Sequence, residues 1–306
     1  MRKRKIAKFC AWSLGILCLS TISACAQNLS TPHTPEQQQL NQQKIVQELV
    51  KADVVYLGET HDTPEDHQAQ LKILQAIYRE KLKNAKDATA PRLVIAMEMF
   101  QRPYQNILDQ YIAGKITEEE LIEQSEYEER WGFPWEYYAP ILRFARAHQL
   151  PVLALNTPTE VTRKVSRNGL ESLTTAERRY IPPFSEIRTD NAEYRHMIQK
   201  SYEQHHQGGH GNSSSFERFF TAQVLWDETM AQAIAQFIKA NPEEQVVVLA
   251  GQAHIVYGYG IPSRVARRLE NVADKRRLVQ RSVLLSPPED ETSQKEKAIA
   301  DFIWQR

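Results

Sequence analysis

Cysteine is nearly absent from this chain of 306 residues, and its three cysteines all lie close to the N-terminus. They are Cys10, Cys18 and Cys25, so residues 26–306 contain none. Disulfide bonds are common in small domains that are exported from the cytoplasm. The main part of this chain has no pair of cysteines with which to form one.

An excess of positive charge is also lacking. The chain has 38 basic and 38 acidic residues, and its formal net charge is zero. Five of the basic residues lie in the first eight positions, and without them the remainder has 33 basic residues against 38 acidic ones. Nucleic-acid-binding domains usually carry a clear basic surplus. The composition therefore predicts no nucleic-acid partner.

The chain has one extended apolar run, and it is short. The run extends from Phe9 to Ile22 and follows the basic start Met1–Lys5. A permanent membrane helix needs roughly 20 apolar residues, so this pattern predicts a secretory signal peptide instead. The run ends in Ile22-Ser23-Ala24-Cys25, which is similar to the lipobox of bacterial lipoproteins. In a lipobox the cysteine is acylated and becomes the first residue of the mature chain.

These patterns predict a division into three segments. We expect residues 1–24 to be the signal peptide, residues 25–35 a polar tether that carries a lipid on Cys25, and residues 36–306 a single domain. Several acyl chains on one cysteine hold a domain stably at a membrane. The residue after Cys25 is Ala26 rather than aspartate, which favours the outer over the inner membrane of the bacterial envelope. The alternative is an ordinary signal peptide with a chance cysteine.

Five apolar runs rich in β-branched residues predict strands. The first four are nearly continuous rather than alternating, which is typical of strands buried on both faces of a parallel sheet. Helical patterns separate them, so the sequence predicts an α/β fold with a mostly parallel central sheet flanked by helices. Phe302–Trp304 suggests a closing strand or a docked tail. The five runs are Val54–Leu57, Leu93–Met97, Val152–Leu155, Val246–Ala250 and Leu278–Leu285.

No strand pattern occurs between the third and fourth of these runs. Residues 157–243 instead predict a helical insertion, with helices over residues 159–167, 191–204 and 216–239 and a loop over residues 207–215. At its start, Thr157 and Glu160 are spaced as the two members of a helical capping box.

Polar side chains follow the first four predicted strands. In open α/β sheets, ligands bind outside the carboxyl ends of the strands. Polar groups placed directly after buried strands need hydrogen-bond partners or a ligand. We therefore expect either a functional site or a self-satisfied hydrogen-bond network at this edge. The residues delivered there are Glu59, His61, Glu98, Asn156 and His254.

Four of these residues form a candidate catalytic or metal-binding set: Glu59, His61, Glu98 and His254. Imidazole and carboxylate are suitable ligands for a divalent ion such as Zn²⁺, Mn²⁺ or Fe²⁺. Such an ion can activate water for hydrolysis. The same residues could also act directly as acid and base. Under this alternative the chain would be a hydrolase of ester or peptide bonds.

A second candidate site lies just after His254, where Tyr257 and Tyr259 are interleaved with glycines. A tyrosine phenolate ligates ferric haem in catalase, and glycines on both sides of Tyr259 allow a flat ligand to approach. In the insertion, His205 and His206 could pair as cations with a haem propionate or bind a metal. The alternatives are two tyrosines that pack on the core and a solvated histidine-rich loop.

Several stretches between residues 50 and 285 form an ordered set of motifs. The stretches are Leu57–His61, Glu98–Phe100, Phe133–Tyr138, Asn156–Pro158, Ala222–Ala231, Gly251–His254 and Tyr257–Pro262. Taken in order, they resemble the ChaN-type haem-binding uptake lipoproteins, which are relatives of the Tiki and erythromycin-esterase-like proteins.

The resemblance implies a surface-anchored lipoprotein of haem and iron uptake that forms a homodimer around two stacked ferric haems. Each iron would take a tyrosine from one subunit, and basic side chains of the other would hold the propionates. Tyr257 is the better match for the ligand and Tyr259 the second, while His205 or His206 is the expected propionate contact. The relatives also carry catalytic or metal-binding Glu and His residues at their strand ends, so the resemblance leaves the hydrolase alternative open.

Overall fold

Six parallel strands form the centre of the molecule. The computed structural model describes residues 34–84, 92–205, 213–270, 277–286 and 297–305. The strands lie in the order β3-β2-β4-β1-β5-β6, and every pairing between neighbours is parallel. The predicted α/β fold with a central parallel sheet is thereby confirmed. The strands are β1 (Val54–Glu59), β2 (Leu93–Gln101), β3 (Val152–Asn156), β4 (Gln245–Gly251), β5 (Gln280–Leu284) and β6 (Phe302–Ile303).

Helices cover both faces of the sheet. Three of them (α1, α4 and α8) begin at a threonine that forms a capping box with the residue three positions later. The α-helices of the described residues are α1 (Pro35–Leu49), α2 (Pro64–Asn84), α3 (Gln105–Ile112), α4 (Glu118–Gln124), α5 (Tyr127–Arg130), α6 (Ala139–Ala147), α7 (Thr159–Asn168), α8 (Thr175–Arg178), α9 (Ala192–His205), α10 (Ser213–Ala240) and α11 (Ile261–Leu269).

The two faces of β1 show how the core is divided. Side chains alternate along a strand, so neighbouring residues point to opposite faces. Val55 and Leu57 belong to the apolar cluster that packs against α1, α2 and α6. Tyr56 belongs to the cluster on the other face, which packs against α10 and α11. All six residues of β1 are buried, which is why its sequence reads as a continuous apolar run.

The predicted helical insertion between the third and fourth core strands is present as α7 to α10. Its last helix, α10, runs back along the sheet and packs on β3, α7 and α11. This helix begins at Ser213, so the last three residues of the predicted loop over 207–215 are helical. Residues 207–212 of that loop, and His206 just before it, lie outside the described residues.

The predicted signal peptide and the predicted lipid attachment at Cys25 fall within residues 1–33, which also lie outside the described residues. Within the described ranges, no helix combines the length and the apolar character needed to cross a membrane.

Candidate functional site

A buried carboxylate, Glu59, ends the central strand β1 and collects hydrogen bonds from three elements. It is 1% exposed. Its oxygens accept hydrogen bonds from Gln70 Nε2 at 2.6 Å and from the Tyr138 hydroxyl at 2.6 Å. His61 Nδ1 lies 2.7 Å from Glu59 Oε1, and His67 Nδ1 lies 3.5 Å from Oε2. The carboxylate therefore has polar partners on both oxygens.

These contacts keep Glu59 charged. Burial by itself raises the pKa of this carboxyl, but the hydrogen bonds and charges of His61 and His67 outweigh it and lower the pKa to about 2. Burial lowers the pKa of each histidine, and the contacts with Glu59 reverse that effect, so both pKa values are raised. The anion and the two imidazoles thus stabilise each other's charged forms.

A second buried carboxylate, Glu98 on β2, is part of a matching arrangement. Its Oε2 accepts the backbone N–H of Gly251 at 2.8 Å, and His254 Nε2 lies 3.4 Å from its Oε1. The other nitrogen of this ring, Nδ1, lies 2.7 Å from Asp227 Oδ1 on α10. Burial lowers the pKa of His254, but the two flanking carboxylates raise it to about 10. His254 is therefore an imidazolium at neutral pH.

The two arrangements meet at Gly251, the last residue of β4. A Cβ atom at this position would lie 2.7 Å from His61 Nε2 and 3.7 Å from Glu98 Oε2. Only glycine leaves room for the imidazole to pass so close to the strand. The structure thus brings together the four predicted residues Glu59, His61, Glu98 and His254. Asn156 joins through its amide, which donates to the Glu98 carbonyl at 3.0 Å.

His61 is the point at which this network reaches the surface. Its side chain is 28% exposed, whereas that of Glu59 is fully buried and those of Glu98 and His254 are 7% exposed. Aromatic rings border the exposed edge, since Trp131 and Phe133 lie 5.0 and 5.1 Å from the imidazole. A substrate could reach the network through His61 without rearrangement of the other members.

The network is arranged as a set of hydrogen-bonded ion pairs. Among the described residues, no group of three or more His, Cys, Asp or Glu side chains is placed to hold a metal ion. Both ring nitrogens of His254 face carboxylates, and the oxygens of Glu59 are occupied by protein donors. The metal-ligand role of these residues remains a prediction that the arrangement of the side chains does not favour.

Several members of the network were missed by the sequence analysis: His67, Gln70, Tyr138 and Asp227. Tyr138 and Asp227 lie within stretches that carry the family resemblance, so that resemblance was the available signal. His67 and Gln70 lie in the first two turns of α2, where nothing in the local pattern distinguishes them from other polar helix residues.

The predicted capping box at the start of the insertion is wrong. The residue that precedes α7 is Pro158 rather than Thr157, and it makes no side-chain cap bond. The amide N–H of Thr159 instead donates to Gln101 Oε1, at 3.3 Å. A side chain from β2 thus takes the place of the local cap.

The tyrosine turn, Tyr257 to Gly260, lies beside this network. Tyr257 adopts a left-handed backbone conformation with φ of 55°, which is uncommon for a non-glycine residue. Its side chain is 3% exposed and packs in the core between the sheet, α10 and α11. Tyr259 is only half-buried, and Lys297 Nζ lies 4.3 Å from the centre of its ring. The two tyrosines therefore differ in accessibility.

Arg264 contacts both the tyrosine turn and the carboxylate network, by which we mean Glu59, Glu98, Asp227 and the histidines paired with them. Arg264 of α11 is 3% exposed and donates to the carbonyls of Tyr259 and Gly260, at 2.6 and 2.9 Å. The same guanidinium lies 3.9 Å from Asp227. A Cβ at Gly260 would lie 2.2 Å from the His254 carbonyl oxygen, so glycine is required for this close approach.

The predicted propionate contacts are His205 and His206. His206 lies outside the described residues, and His205 ends α9 with a side chain that the structure does not describe. Their role remains a prediction.

A family model described as haem-binding uptake, Tiki superfamily, ChaN matches residues 45–265. The chain belongs to this family. Among solved structures, it is similar to the one titled cofacial heme binding to ChaN of Campylobacter jejuni, with a TM-score of 0.61 and 18% identity over 85% of this chain and 89% of that one. This likeness shows that the two chains share a fold.

The chain is also similar to two other proteins. Its comparison with the structure of a mutant of the erythromycin esterase EreC in its open conformation gives a TM-score of 0.42 and 16% identity over 80% of this chain and 73% of that one. Protein RETICULATA-RELATED 5 of Arabidopsis thaliana, a chloroplastic protein, is 27% identical over 278 residues, which are 86% of this chain and 35% of that protein. This ChaN-family chain thus spans about a third of the plant protein.

The charge on His254 predicts a dependence of stability on pH. Its pKa is about 10 in the folded chain, against 6.5 for an unperturbed histidine. Its contribution is therefore fully present below pH 6.5 and is lost as the pH rises through 10. Between these two pH values, we expect the loss of this contribution to decrease the free energy of unfolding by at most about 1.4 kcal/mol for each unit of rising pH.

Urea unfolding at pH 7 and pH 9.5 measures this decline. His254→Gln should remove the contribution, so that the free energy of unfolding depends less steeply on pH. His196→Gln, at an exposed position of α9, should show the same pH dependence as the parent. Equal slopes in the parent and His254→Gln would show that His254 is not charged in the folded chain.

Proposed function

We propose that this chain binds ferric haem through the phenol of Tyr259, at the turn between β4 and α11. Membership of the ChaN family supports haem as the ligand. The half-buried ring of Tyr259 beside the Lys297 ammonium is the observation that carries the assignment of the site. Tyr257 matches the family pattern better, but its side chain is 3% exposed and would have to leave the core to reach an iron.

The surroundings of Tyr259 have the components that a haem site needs. Such a site combines apolar contact surface with an axial ligand and cations for the propionates. Tyr259 packs against the apolar cluster formed by α9 and α10, and Met197 and Phe219 pack against the same cluster, which supplies apolar surface. A Cβ at Gly258 would meet nothing within 4 Å, so the approach to the turn is open there. Lys297 supplies a positive charge.

The residues of the chain would have distinct roles toward this ligand. Bound haem supplies an iron that accepts an anionic oxygen ligand, and a phenolate favours its ferric state. Lys297, whose ammonium lies 4.3 Å from the centre of the Tyr259 ring, would attract a propionate carboxylate. Arg264 holds the backbone of the turn by its bonds to the Tyr259 and Gly260 carbonyls, and so fixes the direction of the tyrosine.

We also infer the cellular setting of this binding. The signal-like start and the lipobox pattern support export and acylation of Cys25, which would place the domain on the bacterial envelope, at the outer membrane in preference to the inner one. The family description supports a role in haem and iron uptake. The homodimer expected from the resemblance is part of this proposal, and sedimentation velocity with and without haem measures it.

A second candidate function is hydrolysis at His61. Its imidazole is oriented by a buried carboxylate through Nδ1, and its exposed edge lies between two aromatic rings. A histidine held in this way can transfer protons to and from a substrate. Ester or peptide bonds are the substrates that such a residue would serve. This candidate requires no metal ion.

Haem binding is tested by titrating the purified chain with haemin and following the visible absorbance. We expect a saturable change in the parent and at least a tenfold loss of affinity in Tyr259→Phe, because the axial ligand is removed. Tyr257→Phe is the matched control and should bind like the parent. The reverse result, with Tyr257→Phe alone defective, would assign the ligand to Tyr257. Unchanged binding in both variants would refute the site.

Lipid attachment is tested by labelling cells that express the chain with a radioactive fatty acid. We expect the label on the parent and its loss in Cys25→Ser, which should remain in the soluble envelope fraction. Label on Cys25→Ser, or no label on either chain, would contradict acylation at this position.

Hydrolysis is tested with a p-nitrophenyl ester. Proton transfer by a positioned side chain is worth about 10²–10⁴-fold in rate, so His61→Gln should lower the rate by at least a hundredfold. Since the pKa of His61 is raised, the rate of a base-catalysed step should increase as the pH rises above neutrality. His196→Gln is the control. A parent rate equal to that of His61→Gln would exclude this function.

A further inference from the structure

A basic pocket lies between α10, α11 and the segment Ser185–Arg188. It shares no residue with the carboxylate network or the tyrosine turn, and its volume is about 420 Å³. Four cationic side chains line it, and they come from three separate parts of the chain: Arg188 from the segment, Lys239 from α10, and Arg267 and Arg268 from α11. The amides of Gln232 and Gln236 and the carboxylate of Glu186 also line it.

Fixed ion pairs hold two of these arginines in place. The carboxylate of Glu228, which is fully buried, contacts Arg267 at 2.7 Å and Arg268 at 2.7 Å. It also accepts the backbone N–H of Arg188, at 3.2 Å. The guanidinium groups are therefore positioned before any ligand arrives, which lowers the entropic cost of binding.

The cations of this pocket are not fully neutralised by the protein. Burial lowers the pKa of the neighbouring Arg102, and the positive charge of Arg268 lowers it further. The three arginines among the four cations that line the pocket form ion pairs with three carboxylates of the described residues, and one of these, Glu228, is shared with Arg264. Those carboxylates are Glu228, Glu186, which pairs with Arg268, and Asp190, which pairs with Arg188.

Two donors in this region have no protein partner. The Nε–H of Arg268 is buried and has no hydrogen-bond acceptor among the described residues. Lys239 makes no hydrogen bond or ion pair with any residue whose placement is described. A surplus of positive charge around a preformed cavity favours binding of an anion.

We propose that this pocket binds a phosphoryl group, either as free phosphate or as a small phosphate monoester. A planar carboxylate is satisfied by one bidentate arginine. Three arginines and a lysine that approach from three sides suit a tetrahedral dianion with several acceptor oxygens. The volume leaves room for a small organic group beside the phosphoryl group.

The test uses the full chain in a nonionic detergent and isothermal titration with glycerol 3-phosphate at pH 8 and low ionic strength. We expect saturable binding by the parent and at least tenfold weaker binding by Arg188→Gln/Lys239→Gln. Both positions are exposed, so this variant should fold, and an unchanged melting temperature in the absence of ligand confirms it.

The matched control is Lys44→Gln/Arg79→Gln, which removes two positive charges from exposed positions of α1 and α2. It should bind like the parent. No saturable binding by the parent would overturn the proposal, and so would an equal loss in the control, since the effect would then be one of net charge.

Two further probes define the chemistry. Succinate carries the same charge without the tetrahedral group, and binding as tight as that of glycerol 3-phosphate would overturn the assignment to phosphoryl. Inorganic phosphate distinguishes the two sources that the proposal allows. Tighter binding of the ester identifies an esterified group as the ligand, whereas equal affinity identifies free phosphate.

Discussion

The burial of negative charge at the carboxyl edge of the sheet is the constraint on which the rest of the structure depends. Glu59 ends one central strand and Glu98 lies near the end of another, and Asp227 of α10 contacts the His254 ring through the nitrogen that does not face Glu98. An uncompensated charge in such a position costs several kcal/mol, so each carboxylate must have a charged or strongly polar partner. His61, His67 and His254 supply the compensating charge, and Gly251 leaves the space for one of these rings.

This constraint explains the shape of the neighbouring tyrosine turn. Arg264 faces Asp227 and also donates hydrogen bonds to the carbonyls of Tyr259 and Gly260. The carboxylate network therefore fixes the backbone of the turn through this arginine. The left-handed conformation of Tyr257 costs of order 1–3 kcal/mol and persists because its surroundings impose it. The haem ligand that we propose is thus oriented by the same buried charges that form the second candidate site.

The sequence alone was sufficient for the sheet and for the residues at its edge. Nearly continuous apolar runs predict buried parallel strands, and the residues that follow them must then lie together, as Glu59, His61, Glu98 and His254 do. The residues contributed by helices were not predictable in this way. His67 and Asp227 lie on helices whose placement depends on tertiary packing, and helical periodicity does not distinguish a polar residue that faces the site from one that faces solvent.

Two other points also required the three-dimensional structure. The capping box at Thr157 failed because Gln101, which is distant in sequence, occupies the position that a local cap would take. The pattern of alternating tyrosine and glycine does not indicate which ring is buried, since this depends on how the turn sits against α9 and α10. The relative accessibility of Tyr257 and Tyr259 is therefore a finding of the structure.

The proposed haem site requires that a tyrosine phenolate of this ChaN-family chain ligates ferric haem. Resonance Raman spectroscopy of the haem complex, prepared with ring-¹³C-labelled tyrosine, tests it most directly. We expect iron–phenolate bands that shift with the label and that disappear in Tyr259→Phe. A haem complex without label-sensitive phenolate bands would contradict the claim, because the iron would then be held by another group.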